Sequence, residues 1–99
     1  MITLLMAIQK VRDYFEEAKS RDPYDNDIVI LEEETIEFEY GWVFFYQSRE
    51  FVETGDIFSA LGGNAPIIVN KNDGSLHITG TALPVEKYIE DYIASMDKR

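Results

Sequence analysis

From Ile36 to Tyr46 one parity is apolar throughout: Ile36, Phe38, Tyr40, Trp42, Phe44 and Tyr46. A period of two belongs to a strand, whose successive side chains leave opposite faces. The other parity changes character halfway along. Glu37 and Glu39 come first, then Gly41, then Val43 and Phe45. Ile36–Tyr40 therefore reads as a strand with one face in water, and Trp42–Tyr46 as a central strand apolar on both faces. Gly41 sits at the change and marks a bulge or a turn. The pattern fits one bent strand and a tight hairpin equally well. With both strand faces apolar, Phe44 and Phe45 are expected in a packed core. Tyr40 and Tyr46, nearer the strand ends, are the aromatic candidates for exposure.

The remaining elements follow from the same kind of pattern. Leu4, Ile8, Val11 and Phe15, flanked by Leu5 and Ala18, make an amphipathic helix over about residues 4–19. Thr3 is its expected N-cap. Ser20 to Asp27, with Pro23 inside it, breaks that helix. Ile28–Leu31 is a short β-branched run and reads as a buried strand, and Glu32-Glu33-Glu34 as a solvated turn. Residues 48–56 read as a structured loop, and Ile57–Leu61 as one helical turn closed by Gly62-Gly63. Ile67–Val69 is a strand. The turn Lys71-Asn72-Asp73-Gly74 links it to a return strand through Leu76, Ile78, Thr79 and Thr81, with Asp-Gly supplying the positive φ values. Pro84 opens a last helix, whose apolar face is Val85, Tyr88, Ile89, Tyr92, Ile93 and Met96. Lys98 and Arg99 suit its negative dipole end. The order helix, strands, helix implies an α+β fold: a mainly antiparallel sheet of about four to five strands flanked by an N-terminal and a C-terminal amphipathic helix. With 99 residues, one domain (1–99) is expected.

Charge narrows the range of partners. From Asp22 to Glu39 the chain holds eight carboxylates and no Lys or Arg. The whole chain carries a formal charge of −10, and the first fifty residues hold twelve acids against five bases. A one-sign field of this kind attracts cationic partners and speeds their docking, and it repels nucleic acid and anionic lipid. Neither of those two is expected as a partner. A hydrophobic content of 45% sets the chain apart from a disordered acidic tail. The absence of cysteine removes disulfides, thiolate catalysis and Cys-based zinc sites. The apolar start, Met1 to Ala7, ends at Gln9-Lys10 without a basic leader or a small-residue cleavage site. No apolar run reaches membrane-spanning length. A cytoplasmic location is the resulting expectation.

Catalytic and metal chemistry find little support in the sequence. His77, the single histidine, lies on the return strand between Leu76 and Ile78 and is expected to face solvent. Ser75 and Asp73 stand two and four residues before it, a spacing that does not make a triad in a turn and strand. Asp25-Asn26-Asp27 and Asn70–Gly74 are rich in oxygen, but neither follows the calcium-loop pattern. Glu50, Glu53 and Asp56 form a further carboxylate group of undefined geometry. Gly62-Gly63 lacks the Lys and Ser/Thr of a phosphate loop. No catalytic residue, metal ligand or cofactor is assigned.

A set of blocks in one order carries a family resemblance: Gly41-Trp42-Val43-Phe44-Phe45-Tyr46, Phe51-Val52-Glu53-Thr54-Gly55-Asp56, Gly63-Asn64-Ala65-Pro66-Ile67-Ile68-Val69, Asp73-Gly74, Gly80-Thr81-Ala82 and the helix start Pro84–Tyr88. The chain resembles the immunity protein 35 family, also called YrhB-domain proteins, over about residues 26–93. Asn70 stands where an acidic residue is common in that family. The resemblance implies an α+β domain from bacterial polymorphic-toxin loci that neutralises a toxin by binding it, with no catalytic residues. For stand-alone members it implies a chaperone-like alternative. The expected partner is a cognate toxin domain with a basic surface, and a homodimer through an exposed sheet edge is kept open. The candidate partner-binding residues are Glu32, Glu33, Glu34, Glu37, Glu39, Tyr40 and Tyr46.

Overall fold

The computed structural model describes residues 1–21, 28–55 and 65–97. Helix α1, Leu4–Arg21, starts where Thr3 accepts two hydrogen bonds. Its Oγ1 takes the Met6 N–H at 3.2 Å and its carbonyl takes that of Ala7 at 3.0 Å. The cap thus satisfies donors that the first helical turn leaves unpaired. The buried stripe of α1 is Ala7, Ile8 and Val11, with Phe15 packed beside it. Leu4 and Leu5, expected on or beside that stripe, stay 43% and 77% exposed, because the packed face begins at Ala7.

Strand β1 (Ile28–Ile30), a 3₁₀ turn (Glu32–Glu34) and strand β2 (Ile36–Phe38) follow. Then come β3 (Gly41–Phe44), β4 (Tyr46–Ser48), helix α2 (Arg49–Thr54), β5 (Ile67–Asn70), β6 (Leu76–Ile78) and helix α3 (Val85–Asp97). The expected α+β arrangement holds, with helices at both ends and all strand pairs antiparallel. The strands form two sheets, β1-β4 and β2-β3-β5-β6. The return strand β6 stops at Ile78 and does not reach Thr81. The helical turn expected at Ile57–Leu61 lies outside the described residues, as do Asp22–Asp27, Asp56, Gly62-Gly63, Lys98 and Arg99.

The run from Ile36 to Tyr46 is neither one bent strand nor a single hairpin. β2 and β3 form a hairpin with Phe38 opposite Gly41, so Glu39 and Tyr40 make the turn. Gly41 is required by proximity: a Cβ there would lie 2.0 Å from the Val69 carbonyl oxygen of β5. Trp42–Tyr46, expected as one strand, breaks at Phe45. β3 pairs with β2 and β5, whereas β4 pairs with β1. The Phe45 carbonyl accepts the Leu31 N–H at 2.8 Å at the switch, and Phe45 is only half-buried. Apolar residues on both parities mark burial on both sides, and they cannot show that the chain changes sheets.

The expected loop at 48–56 contains α2. Ser48 caps it, accepting the Phe51 N–H at 3.1 Å, and Gly55 closes it at φ 72°. In the β5–β6 turn only Gly74 has positive φ, at 71°, and it donates to the Asn70 carbonyl at 2.9 Å. Asp73 stays in the ordinary region, so the Asp-Gly pair supplies one left-handed residue and not two.

Register assigns the faces of the larger sheet. Trp42, Phe44, Ile67, Val69 and Leu76 share the side packed on Ala7, Ile8 and Val11 of α1. Val43, Ile68 and His77 take the other side. There Tyr92 of α3 meets His77 at 5.0 Å and Phe38 at 6.1 Å between ring centroids.

Candidate partner-binding surface

The five glutamates singled out from sequence are all exposed. Glu32, Glu33 and Glu34 occupy the 3₁₀ turn, held by the Glu34 N–H on the Leu31 carbonyl and the Thr35 N–H on that of Glu32. A 3₁₀ turn has three residues per turn, so three consecutive side chains point in three directions. They spread charge over a surface and do not converge on one cation. Glu37 lies on β2 and Glu39 in the hairpin turn.

Two of the five carry basic partners. Glu32 pairs with Arg12 of α1 at 3.4 Å, both being about half exposed, so the pair contributes little to stability. Glu37 meets Lys71 at 2.7 Å. The same ammonium sits 5.4 Å from the centroid of Trp42, the residue opposite Glu37 across the hairpin. Lys71 therefore binds a carboxylate and an aromatic face at once. No ion pair reaches Glu33, Glu34 or Glu39 among the described residues. Among the five, these three are the uncompensated ones.

The two tyrosines differ from expectation. Tyr40 is half-buried in the hairpin turn, and its carbonyl accepts the Lys71 N–H at 2.8 Å. Tyr46 is not an exposed strand end. Its hydroxyl donates to the Ala65 carbonyl at 2.8 Å and its ring packs 4.8 Å from that of Phe15. Burial, and after it the neighbouring Tyr14, raise its pKa above the ordinary tyrosine value. Sequence position alone hid this, because the contacts come from α1 and from Ala65.

His77 does not simply face solvent. It is half-buried against Tyr92, and its Nε2 lies 2.7 Å from Ser75 Oγ. Ser75 Oγ also lies 2.7 Å from Asp73 Oδ1, and its N–H donates to the same oxygen at 2.9 Å. The three residues do meet, in the order Asp–Ser–His. One hydroxyl carries one proton. The Ser75 side chain gives it to the carboxylate, the stronger acceptor, and His77 then donates to the hydroxyl. A serine nucleophile needs the imidazole between the other two, so the connectivity is wrong for acyl transfer. The hydrogen bonds from Ser75, side chain first and backbone next, hold the Asp73 carboxyl below its ordinary pKa.

Sequence reasoning saw Asn70 in an oxygen-rich turn and Tyr92 and Met96 on an apolar helix face, but not that they and Ser95 join Asp73, Ser75 and His77 around a cleft of about 200 Å³. Buried Asn70 organises its floor: Nδ2 donates to the Tyr92 hydroxyl at 2.8 Å, and Oδ1 accepts the N–H of Asn72 at 2.8 Å and that of Asp73 at 3.3 Å. The one available signal was an apolar helix face that carries tyrosine where a plain core would take leucine. No group of three metal-capable side chains occurs among the described residues.

Known proteins give the frame for this surface. The chain is 39% identical over 92 residues to a protein of Escherichia coli (strain K12) described as "Uncharacterized protein YrhB", covering 93% of this chain and 89% of that one. No solved structure matches it. The model of the family described as Immunity protein 35 matches residues 6–94, nearly the whole α+β unit and all five glutamates, and the chain belongs to the immunity protein 35 family.

Proposed function

We propose that this chain is an immunity protein that neutralises a bacterial polymorphic toxin by binding it directly, without catalysis, in the cytoplasm. The toxin presents a basic surface, and the glutamates of the 3₁₀ turn, β2 and the β2–β3 turn face it. One observation carries this reading: in a member of an immunity family, Glu33, Glu34 and Glu39 are exposed with no cationic partner among the described residues. Such charges act over a Debye length and steer encounter more than they hold the final complex. The Asp–Ser–His order supports a role without acyl chemistry.

The test is capture of partners from the native lysate at low and moderate salt, followed by kinetics with the partner so found. One stoichiometric basic protein, released as salt rises, is the expected result. Changing Glu33, Glu34 and Glu39 together to Gln should slow its association about tenfold at low salt and flatten the salt dependence. Unchanged association would remove the acidic surface from the mechanism. A second reading, a chaperone-like binder, draws on exposed Met1, Leu5 and Met6 around the start of α1. Many weak partners that increase on heating would favour it.

A further inference from the structure

The cleft between the β5–β6 turn and α3 has groups left over after its internal bonds are counted. Asp73 is exposed, and both bonds from Ser75 go to its Oδ1, leaving Oδ2 without a partner among the described residues. The Tyr92 hydroxyl accepts from Asn70, and His77 uses only Nε2. Ser95 Oγ gives its proton to the Tyr92 carbonyl at 2.7 Å and retains its lone pairs. The rings of Tyr92 and His77, tilted by 48°, form an aromatic wall, and Met96 adds a polarisable side. No Lys or Arg lines the cleft among the described residues.

We propose that this cleft is a binding site for one arginine side chain supplied by the partner. The chemistry selects a guanidinium on three counts. Asp73 offers the negative charge and a free carboxylate oxygen for a charge-assisted hydrogen bond. Tyr92 offers a ring face, on which a planar cation stacks better than a compact, strongly hydrated ammonium. Ser95 offers a further acceptor to a group that has donors to spare and no acceptor. The size fits a single side chain. Tyr92 also packs edge-on against Phe38, the residue between Glu37 and Glu39, so the cleft lies one ring away from the acidic edge. The site rests on the toxin-binding reading for the source of its arginine, but its chemistry can be tested without a toxin.

The test is a titration of the full chain with Nα-acetyl-arginine amide, read by amide and His77 ring NMR shifts, with Nα-acetyl-citrulline amide as the uncharged isostere. Saturable shifts are expected at Asp73, Ser75, His77, Tyr92 and Ser95, with affinity in the millimolar range, of order 1–10 mM. The citrulline compound should bind about tenfold more weakly, and Asp73→Asn should weaken the arginine compound about tenfold. Asp73 is exposed and its amide can still accept from Ser75, so this variant keeps the fold. Equal binding of the two compounds, indifference to Asp73→Asn, or shifts spread unsaturably along Glu32–Glu39 would each overturn the site. None of those results would touch the capture experiment, and a failed capture would leave the arginine titration standing.

Discussion

The two faces of the four-stranded sheet are built from different materials. Against α1 lie Trp42, Phe44, Ile67 and Val69 with Ala7, Ile8 and Val11, all at most 6% exposed and joined by apolar contact alone. Against α3 the joints are Asn70 to Tyr92, His77 to Tyr92 and Phe38 to Tyr92, and every described residue of the α3 apolar face remains half-exposed. The first face holds the fold by close packing, which tolerates no lost methyl group. The second sets aromatic and hydrogen-bonding groups around buried Val43 and Ile68. Apolar packing is thus concentrated on the α1 side of the sheet, and the polar joints to α3 lie on the other.

That division can be broken in order of expected effect. Phe44→Ala on the α1 face should lose about 3–5 kcal/mol in chemical denaturation, a large part of the roughly 5–10 kcal/mol expected for a domain of this size. Gly41→Ala belongs beside it, at about 3 kcal/mol, because the clash is with β5 backbone. Tyr92→Phe on the α3 face should cost about 1–2 kcal/mol, since it strands the buried Asn70 amide without removing the ring. If Tyr92→Phe matched Phe44→Ala, the two faces would be energetically alike and the division would fail. Thr35→Val should gain up to about 1 kcal/mol, because Thr35 Oγ1 is buried without a hydrogen-bond partner among the described residues.

The smallest effect sharpens the contrast. Ser75→Ala should raise the Asp73 midpoint toward its ordinary value of 3.8 in a carbon-detected NMR titration, with little change in global stability. The sign is that of a depressed carboxylate. The ionised form steadies the turn above the unfolded pKa, and that contribution fades as pH falls through the lower folded value. A midpoint indifferent to Ser75 would mean that the bonds in the turn do not persist in solution.

Periodicity makes the long elements legible in the sequence. α1 and α3 carry a helical repeat, β5 an apolar β-branched run and the β5–β6 turn its glycine, although the Asp-Gly pair does not foretell that Gly74 alone takes positive φ. The exposure of Glu32, Glu33, Glu34, Glu37 and Glu39 is legible too, because glutamates without nearby cations in sequence are most stable in water. What failed needed information from far along the chain. The switch at Phe45 depends on β1 and β5 arriving on different partners, and residues apolar on both parities say nothing about that. α2 is six residues long, too short for a repeat, although its Ser48 and Gly55 caps were in view. The pairing of Glu37 with Lys71 spans 34 residues, and the cleft needs α3 laid across a turn more than a dozen residues earlier.

Asn70 ties the β5–β6 turn to α3. An aspartate at this position would lack the Nδ2 donor that Asn70 gives to Tyr92. The phenol could then turn its own proton to the carboxylate, and the contact would survive with its polarity reversed.

Lys71 gives the molecule an optical consequence. Trp42 is the single tryptophan of the chain, and the ammonium that pairs with Glu37 rests over its ring. A cation arriving at Glu37 competes for that carboxylate and changes the electric field across the indole. Emission from the unlabelled protein should therefore shift in wavelength as a partner docks on β2, and a spectrum unchanged at saturation would place the docking elsewhere.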